Sequence, residues 1–236
     1  MKQSWTIGIL CYNEAVTIVD VYSKVKTVLS QLTGDSEIII VDDGSTDGSI
    51  ELIQKIYTYD PSVRLIFHEI NKGIGASIRD VYFNATKQNV VFVPGDGQFD
   101  EMELIPFAEF SADHFICFFR HENETYSLFR NALSWANKMF NSWFLGFNLK
   151  DVNWVKVYKR EILYKLELKS KSSIIESEIC AKLTALGKTA VEVPSVYHPR
   201  IAGQSKGASF GTILKVYKEL WAVYLLVKKF KKSSRK

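Results

Sequence analysis

The sequence predicts an α/β domain with a mostly parallel central sheet and helices on both faces. Three observations carry that prediction. Short β-branched runs alternate with longer helical patterns through the first hundred residues, as in consecutive βα units. The runs end in turns rich in glycine and aspartate, where open parallel sheets place their ligand crevice. No Gly/Ser linker, repeat or low-complexity segment divides the 236 residues, so one domain is the economical reading.

In chain order, residues 5–11 form a strand and 14–32 a helix; 37–41 and 49–57 repeat the pair, as do 64–68 and 74–86. Residues 90–93 are a fourth strand, stopped at Pro94-Gly95-Asp96-Gly97. The second half is less regular. Residues 115–120 are strand-like, 124–147 form a long aromatic-rich helical region, and 151–158 a strand pair region. A helix at 177–186 and a strand at 190–193 follow. The body is read as residues 1–211, and 212–236 as an amphipathic helix with a basic tail.

With 47% hydrophobic and 13% aromatic residues the chain has ample material for a core. The formal charge of +4 is concentrated at one end: without the six Lys and Arg of residues 228–236 it becomes −2. A nucleic-acid binder carries its basic surface on the fold itself, so nucleic acid is not an expected partner; such a tail suits anionic lipid or plain water. Cys11, Cys117 and Cys180 are far apart among apolar residues, which reads as buried thiols in a reducing compartment. The N-terminus enters the first strand without a long apolar leader. The longest apolar candidate, residues 220–227, falls well short of the roughly 18–20 residues of a spanning helix. A cytoplasmic protein that lies on a membrane without crossing it is the expectation.

The second strand delivers Asp42 and Asp43 into Gly44-Ser45-Thr46-Asp47-Gly48. Carboxylates there suit the N–H and O–H groups of a nucleoside, while Ser45, Thr46 and Asp47 read more simply as turn and helix-cap residues. The run imitates a calcium loop, but the twelfth position from Asp43 is Gln54 rather than Glu, which excludes calcium. After the fourth strand, Asp96 and Gln98 place a carboxylate and an amide two residues apart. Such oxygen ligands suit Mg²⁺ or Mn²⁺ shared with substrate phosphates, and an ordinary Gly-Asp-Gly turn is the alternative. Asn71-Lys72-Gly73-Ile74-Gly75 opens a helix after a strand and offers N–H groups and Lys72 to phosphate. It lacks the third glycine of a dinucleotide fingerprint and follows the third strand rather than the first.

Four of these turns, taken together, resemble family 2 glycosyltransferases of the GT-A fold in order and spacing: Cys11-Tyr12-Asn13-Glu14, Val41 to Asp47, Asn71-Lys72-Gly73 and Gly95-Asp96-Gly97-Gln98. The second half resembles the polyprenyl-phosphate branch, of which dolichyl-phosphate mannosyltransferase is the familiar member. That likeness rests on Arg130, Ser134 and Asn137, on Asp151, Lys156 and Arg160, and on Arg200-Ile201-Ala202-Gly203-Gln204-Ser205-Lys206. The resemblance covers about residues 5–210. It implies metal-dependent, inverting transfer from a nucleotide sugar of the GDP-mannose or UDP-glucose type to a polyprenyl phosphate. Tyr12 and Glu14, with Asp42 or Asp43, would hold the nucleoside, and Lys72 would lie near the base or diphosphate. Asp96 and Gln98 would ligate the metal, and Arg120, Arg130, Arg200 and Lys206 would position the acceptor phosphate. Catalysis would fall to Asp96, Arg130, Arg200 and Lys206. Pro94 departs from the family pattern, standing where the first carboxylate of Asp-x-Asp is expected and leaving Asp96 and Gln98, with Asp100 nearby.

A phosphate monoester has a second pKa of about 6, so a lipid-phosphate acceptor needs no strong base. A sugar-hydroxyl acceptor, as in surface polysaccharide synthesis, would need one, and Glu176 or Glu178 is the candidate; an acidic helix start is the plainer reading. The third reading is a nucleotide-binding or scaffold protein that has lost catalysis, for which Pro94 is the hint. Residues 126–147 and 214–230 join aromatic residues, the second with Lys228 and Lys229, in the manner of interfacial helices, although the first suits a core equally well.

Overall fold

Runs of Ile, Val and Phe that are buried on both faces build the centre of the sheet. β1 (Trp5–Cys11) is buried along its whole length and β2 (Ser36–Asp42) over its last five residues, as expected of strands covered by helices on either side. The computed structural model describes residues 3–32, 35–120, 135, 137–170, 172, 174–201 and 210–233, the side chains of 210–218 excepted. After β2 come α2 (Ser49–Tyr59), β3 (Arg64–Phe67), α3 (Ile74–Asn84) and β4 (Asn89–Pro94), with α1 (Ile18–Leu32) between the first two strands. A 3-10 helix (Glu101–Phe107), β5 (His114–Arg120) and a π-helical turn (Asn141–Leu145) lead to β6 (Lys156–Lys159) and α4 (Arg160–Lys165). The chain continues through α5 (Ile175–Ala185) and β7 (Thr189–Ser195) to α6 (Phe210–Ser233).

The seven strands lie in the order β3-β2-β1-β4-β6-β5-β7. Only β6 runs against its neighbours. Cys11 pairs with Asp42 and Leu10 with Pro94, so the carboxyl ends of β1, β2 and β4 share one edge. The strand order reverses between β1 and β4, the switch point at which open sheets form a crevice.

Each face of the sheet has its own core, because alternate residues of a strand point to opposite sides. Ile7 and Ile9 meet Ile18, Val21, Val25 and Ile53 of α1 and α2. Leu10, Ile39 and Val41 meet Val81 of α3, Ile175 and Ile179 of α5, and Leu220, Val223 and Val227 of α6. The amino end of α3 lies so close to the segment before α5 that a Cβ on Gly75 would stand 2.0 Å from the backbone of Ser172.

Several boundaries differ from the sequence expectation for physical reasons. α1 begins at Ile18 rather than 14, because residues 14–17 form a turn tied to the loop after β2. The strand pair expected over 151–158 reduces to β6; Asp151 turns the chain through its carboxylate on the Asn153 N–H at 3.0 Å. The 3-10 helix and α4 have seven and six residues, too short for periodicity to register. Half of the helical region expected over 124–147 lies outside the described residues; the described part runs through residues 137–140 into the π-helical turn.

Two carboxylates of the interior are matched by lysines. Glu176 is 2% exposed, accepts hydrogen bonds from the hydroxyls of Tyr82 at 2.8 Å and Tyr158 at 2.7 Å, and lies 3.3 Å from the Lys156 ammonium. Burial opposes the charge on Lys156, but Glu176 together with Cys117, Cys180 and Asp151 outweighs it and raises the pKa of the ammonium. Glu178 is 0% exposed and accepts from the Ser170 N–H at 2.8 Å and from Lys182 Nζ at 2.6 Å. Burial works against its ionisation, and these donors override it to lower the pKa. Either carboxylate would be the base in the sugar-hydroxyl reading. In the structure Glu176 ties α3 and β6 to α5, and Glu178 ties α5 to residues 169 and 170 before it.

Candidate active site

The loops after β1 and β2 are joined by their side chains. Ser45 Oγ accepts the Asn13 N–H at 2.9 Å, Asn13 Oδ1 accepts the Thr46 N–H at 2.8 Å, and Ser49 Oγ accepts the Glu14 N–H at 3.0 Å. Asn13 adopts a φ of 59°, a conformation that asparagine tolerates better than most residues. Asp47 caps α2 through Ser49 and also accepts the Ala15 N–H at 3.0 Å. Ser45, Thr46 and Asp47 therefore serve the turn and cap, as their residue types suggest.

Asp42 and Asp43 differ in what remains available. Asp43 accepts the Lys72 N–H at 2.8 Å and the Gly73 N–H at 2.9 Å, and its Oδ1 lies 2.6 Å from His68 Nδ1. The other ring nitrogen of His68 lies 2.7 Å from Asp80 of α3. Asp43 thus fixes the Asn71–Gly73 turn. Asp42 accepts the Gly44 and Ser45 N–H groups through Oδ1 only, and its buried Oδ2 has no donor among the described residues. Tyr12 is half-buried and the Lys72 side chain exposed.

Close approach shapes the loop after β4. A Cβ on Gly95 would lie 2.6 Å from the Leu10 carbonyl oxygen, and the Thr17 hydroxyl donates to the Gly95 carbonyl at 2.7 Å. Asp96 Oδ2 then meets the Arg200 guanidinium at 2.8 Å, and Gln98 Oε1 accepts from Arg200 Nε at 3.3 Å. Gln98 Nε2 donates to the Tyr197 hydroxyl at 2.6 Å, which points the amide oxygen toward Arg200. Glu14 lies 3.8 Å from the same guanidinium. Burial and then the nearby Asp96 push Glu14 up to about 7, with Arg200 acting in the opposite sense.

The two oxygens proposed for a metal therefore converge on one cationic group. Asp96 and Gln98 are hard oxygen donors on a single rigid turn, and Arg200 stands in for a cation between them; the residues fit Mg²⁺ or Mn²⁺ completed by ligand oxygens. No cluster of three or more His, Cys, Asp or Glu suited to a metal occurs among the described residues. Arg120, the other described arginine of the predicted set, makes a two-point contact with Asp151 at 2.7 and 3.2 Å and lies over the rings of Trp154 and Tyr197. Arg130 and Lys206 lie outside the described residues.

Sequence reasoning missed Tyr197 and His198, which hold Gln98 through the Tyr197 hydroxyl and the backbone of His198. They directly follow β7, and the rule that function gathers at carboxyl ends of strands applies to them as well. His68 had no such signal, because its role depends on a contact between β3, the loop after β2 and α3.

A mostly parallel open sheet with acidic loops at the carboxyl ends of its strands is the architecture of GT-A glycosyltransferases. The sequence pattern of Glycosyl transferase family 2 matches residues 6–166, and the chain belongs to that family. An undecaprenyl-phosphate mannosyltransferase of Micrococcus luteus is 25% identical over 209 residues, 81% of this chain and 86% of that protein. Glucosyl-3-phosphoglycerate synthase of Mycobacterium tuberculosis, solved with Mn²⁺, UDP-glucose and phosphoglyceric acid, superposes with a TM-score of 0.64 at 16% identity, over 95% of this chain and 79% of that one. A mannosyltransferase of Pyrobaculum calidifontis in complex with GDP-Man and Mn²⁺ gives a TM-score of 0.60 at 14% identity, over 99% and 74%.

Proposed function

We propose that this glycosyltransferase moves a hexose, with inversion, from a nucleotide sugar of the GDP-mannose or UDP-glucose type to a polyprenyl phosphate. The observation that carries the choice of acceptor is the sealed state of Glu176 and Glu178. A hydroxyl acceptor would need a base that these residues do not offer, whereas an ionised phosphate attacks without one. Likeness to the Micrococcus luteus enzyme over most of both chains supports the same reading.

In this reading Tyr12, Glu14 and Asp42 hold the nucleoside, whose N–H or O–H groups supply the donor that Asp42 Oδ2 lacks, while Asp43 keeps Lys72 in place beside the diphosphate. Asp96 and Gln98 hold Mg²⁺ or Mn²⁺, which when bound supplies Lewis-acid stabilisation of the leaving diphosphate. Arg200, whose partly exposed guanidinium lies beside Asp96 and Gln98, would position a phosphate, and Arg120, Arg130 and Lys206 would add positive charge for the acceptor.

The acceptor implies work at the inner face of a membrane. No described helix is long and apolar enough to cross one. Trp143, Phe144, Trp221 and Leu225 are exposed, and Lys228, Lys231 and Lys232 line a groove with Phe144 and Tyr224, a combination suited to peripheral contact with anionic lipid.

Purified protein incubated with Mn²⁺ or Mg²⁺, a short polyprenyl phosphate and a panel of GDP- and UDP-sugars should yield a lipid-linked sugar by mass spectrometry, and chelation should abolish it. Metal-dependent nucleotide binding without lipid product would redirect the acceptor to a hydroxyl; absence of nucleotide binding would point to the non-catalytic reading.

A further inference from the structure

A second cavity, of about 460 Å³, opens at the edge of the sheet opposite the crevice. It lies where the segment before β1, the start of β4 and the end of β6 come together. Its walls include Gln3, Lys87, Phe110, Lys159, Arg160 and Glu161. Its volume falls within the usual range for small-molecule sites, roughly 300–1,000 Å³.

Lys159 is the unusual member. Its side chain is 9% exposed, and its ammonium donates to Gln3 Oε1 at 2.5 Å and Asn89 Oδ1 at 2.7 Å, with the Phe110 ring centroid 3.9 Å away. All three neighbours are neutral. Among the described residues, no carboxylate lies within ion-pair distance of it. The other buried lysines differ: Lys156 faces Glu176 and Lys182 faces Glu178. A buried ammonium without a countercharge is unfavourable, and the group responds by favouring its neutral form. Burial accordingly pushes Lys159 down to about 8, only partly resisted by Glu161 and Glu109.

Two further cations line the wall. Arg160 holds the Ala85 carbonyl with Nε at 2.6 Å and rests over the Tyr164 ring, and Lys87 pairs with Asp35 at the rim. Three basic side chains face the cavity against the single acid Glu161.

We propose that this cavity binds a phosphate dianion, free or carried on a small ester, whose oxygens supply the countercharge that Lys159 lacks. It is a site separate from the transfer crevice, on the opposite edge of the same sheet.

Pyridoxal 5′-phosphate tests the proposal in the full chain, because its aldehyde condenses with an amine to an imine and water, and borohydride reduces the imine to a stable secondary amine. Peptide mapping should find Lys159 labelled ahead of exposed lysines, with inorganic phosphate protecting it and phosphate-free pyridoxal labelling it about tenfold less, the share expected of one charge-assisted contact. An Arg160→Gln variant should keep the labelling site and weaken phosphate protection. Protection by a sugar phosphate at lower concentration than inorganic phosphate would assign an ester; equal protection would assign the free ion. Labelling of Lys159 no faster than that of exposed lysines, or labelling that phosphate does not reduce, would overturn the proposal.

Discussion

Two ion pairs on the same domain, Lys156–Glu176 and Arg200–Asp96, are built for opposite purposes. The first is sealed: Lys156 is fully buried, its ammonium also reaches the carbonyls of Val152 and Trp154, and Glu176 is closed off by two tyrosine hydroxyls. The second sits at the crevice, where the Arg200 side chain is 32% exposed and shares itself among Asp96, Gln98 and Glu14. A buried pair is locked because separating it leaves a charge in low dielectric, whereas a half-exposed pair exchanges partners at small cost. Groups whose partners are complete hold the fold. Groups with an exchangeable or missing partner mark where ligands and protons enter.

The sharpest break of that contrast is Lys156→Met, which strands Glu176. It should cost about 3–5 kcal/mol in urea unfolding, and Lys156→Met with Glu176→Leu together should recover much of the loss. An equal cost for the single and double variants would refute the idea that the pair matters as a pair.

Glu101 supplies the opposite case inside the fold. It is buried, neither carboxyl oxygen reaches a donor on another of the described residues, and burial pushes it up to about 7 from 4.5. The folded state therefore holds a proton that the unfolded chain releases, so this residue's contribution to stability is complete below about pH 4.5 and is lost as pH rises through about 7. Glu101→Gln should remove that decline, worth about 3 kcal/mol at the alkaline end, and unfolding curves across this pH range would measure it. A smaller residual slope should remain, since Glu14 is raised in the same way.

At the crevice the expected effects are on turnover rather than stability. Asp96→Asn should lower kcat/KM by about 100-fold with Tm nearly unchanged, because it removes a charge from a group whose partner is exchangeable. Arg200→Lys should cost less, about tenfold, since charge is kept and only the forked geometry is lost. A large fall in Tm for either variant would place these residues with the sealed pair instead.

Much of the crevice was legible in the sequence because its residues lie in short runs directly after strands. Tyr12, Glu14, Asp42, Lys72, Asp96 and Gln98 all gather at one edge once β1, β2, β3 and β4 are laid side by side. The roles of Asp42 and Asp43 could not be separated in that way. They are adjacent and chemically identical, and only the approach of the Lys72 turn and His68 consumes one, while an oxygen of the other has no donor among the described residues. Glu176 and Glu178 were ambiguous for the same reason: an acidic helix start looks alike in the sequence whether it faces solvent, a substrate or two tyrosines.

The sequence by itself determined the alternation of strands and helices, the single sheet and the loops that carry chemistry, because periodicity and turn residues act over neighbouring positions. Tertiary structure alone decided which charges are spent and which remain available. Partners such as Tyr82 for Glu176 and Arg200 for Asp96 are about a hundred residues distant in the chain, and burial, which sets the energy of each charge, is a property of the packed molecule.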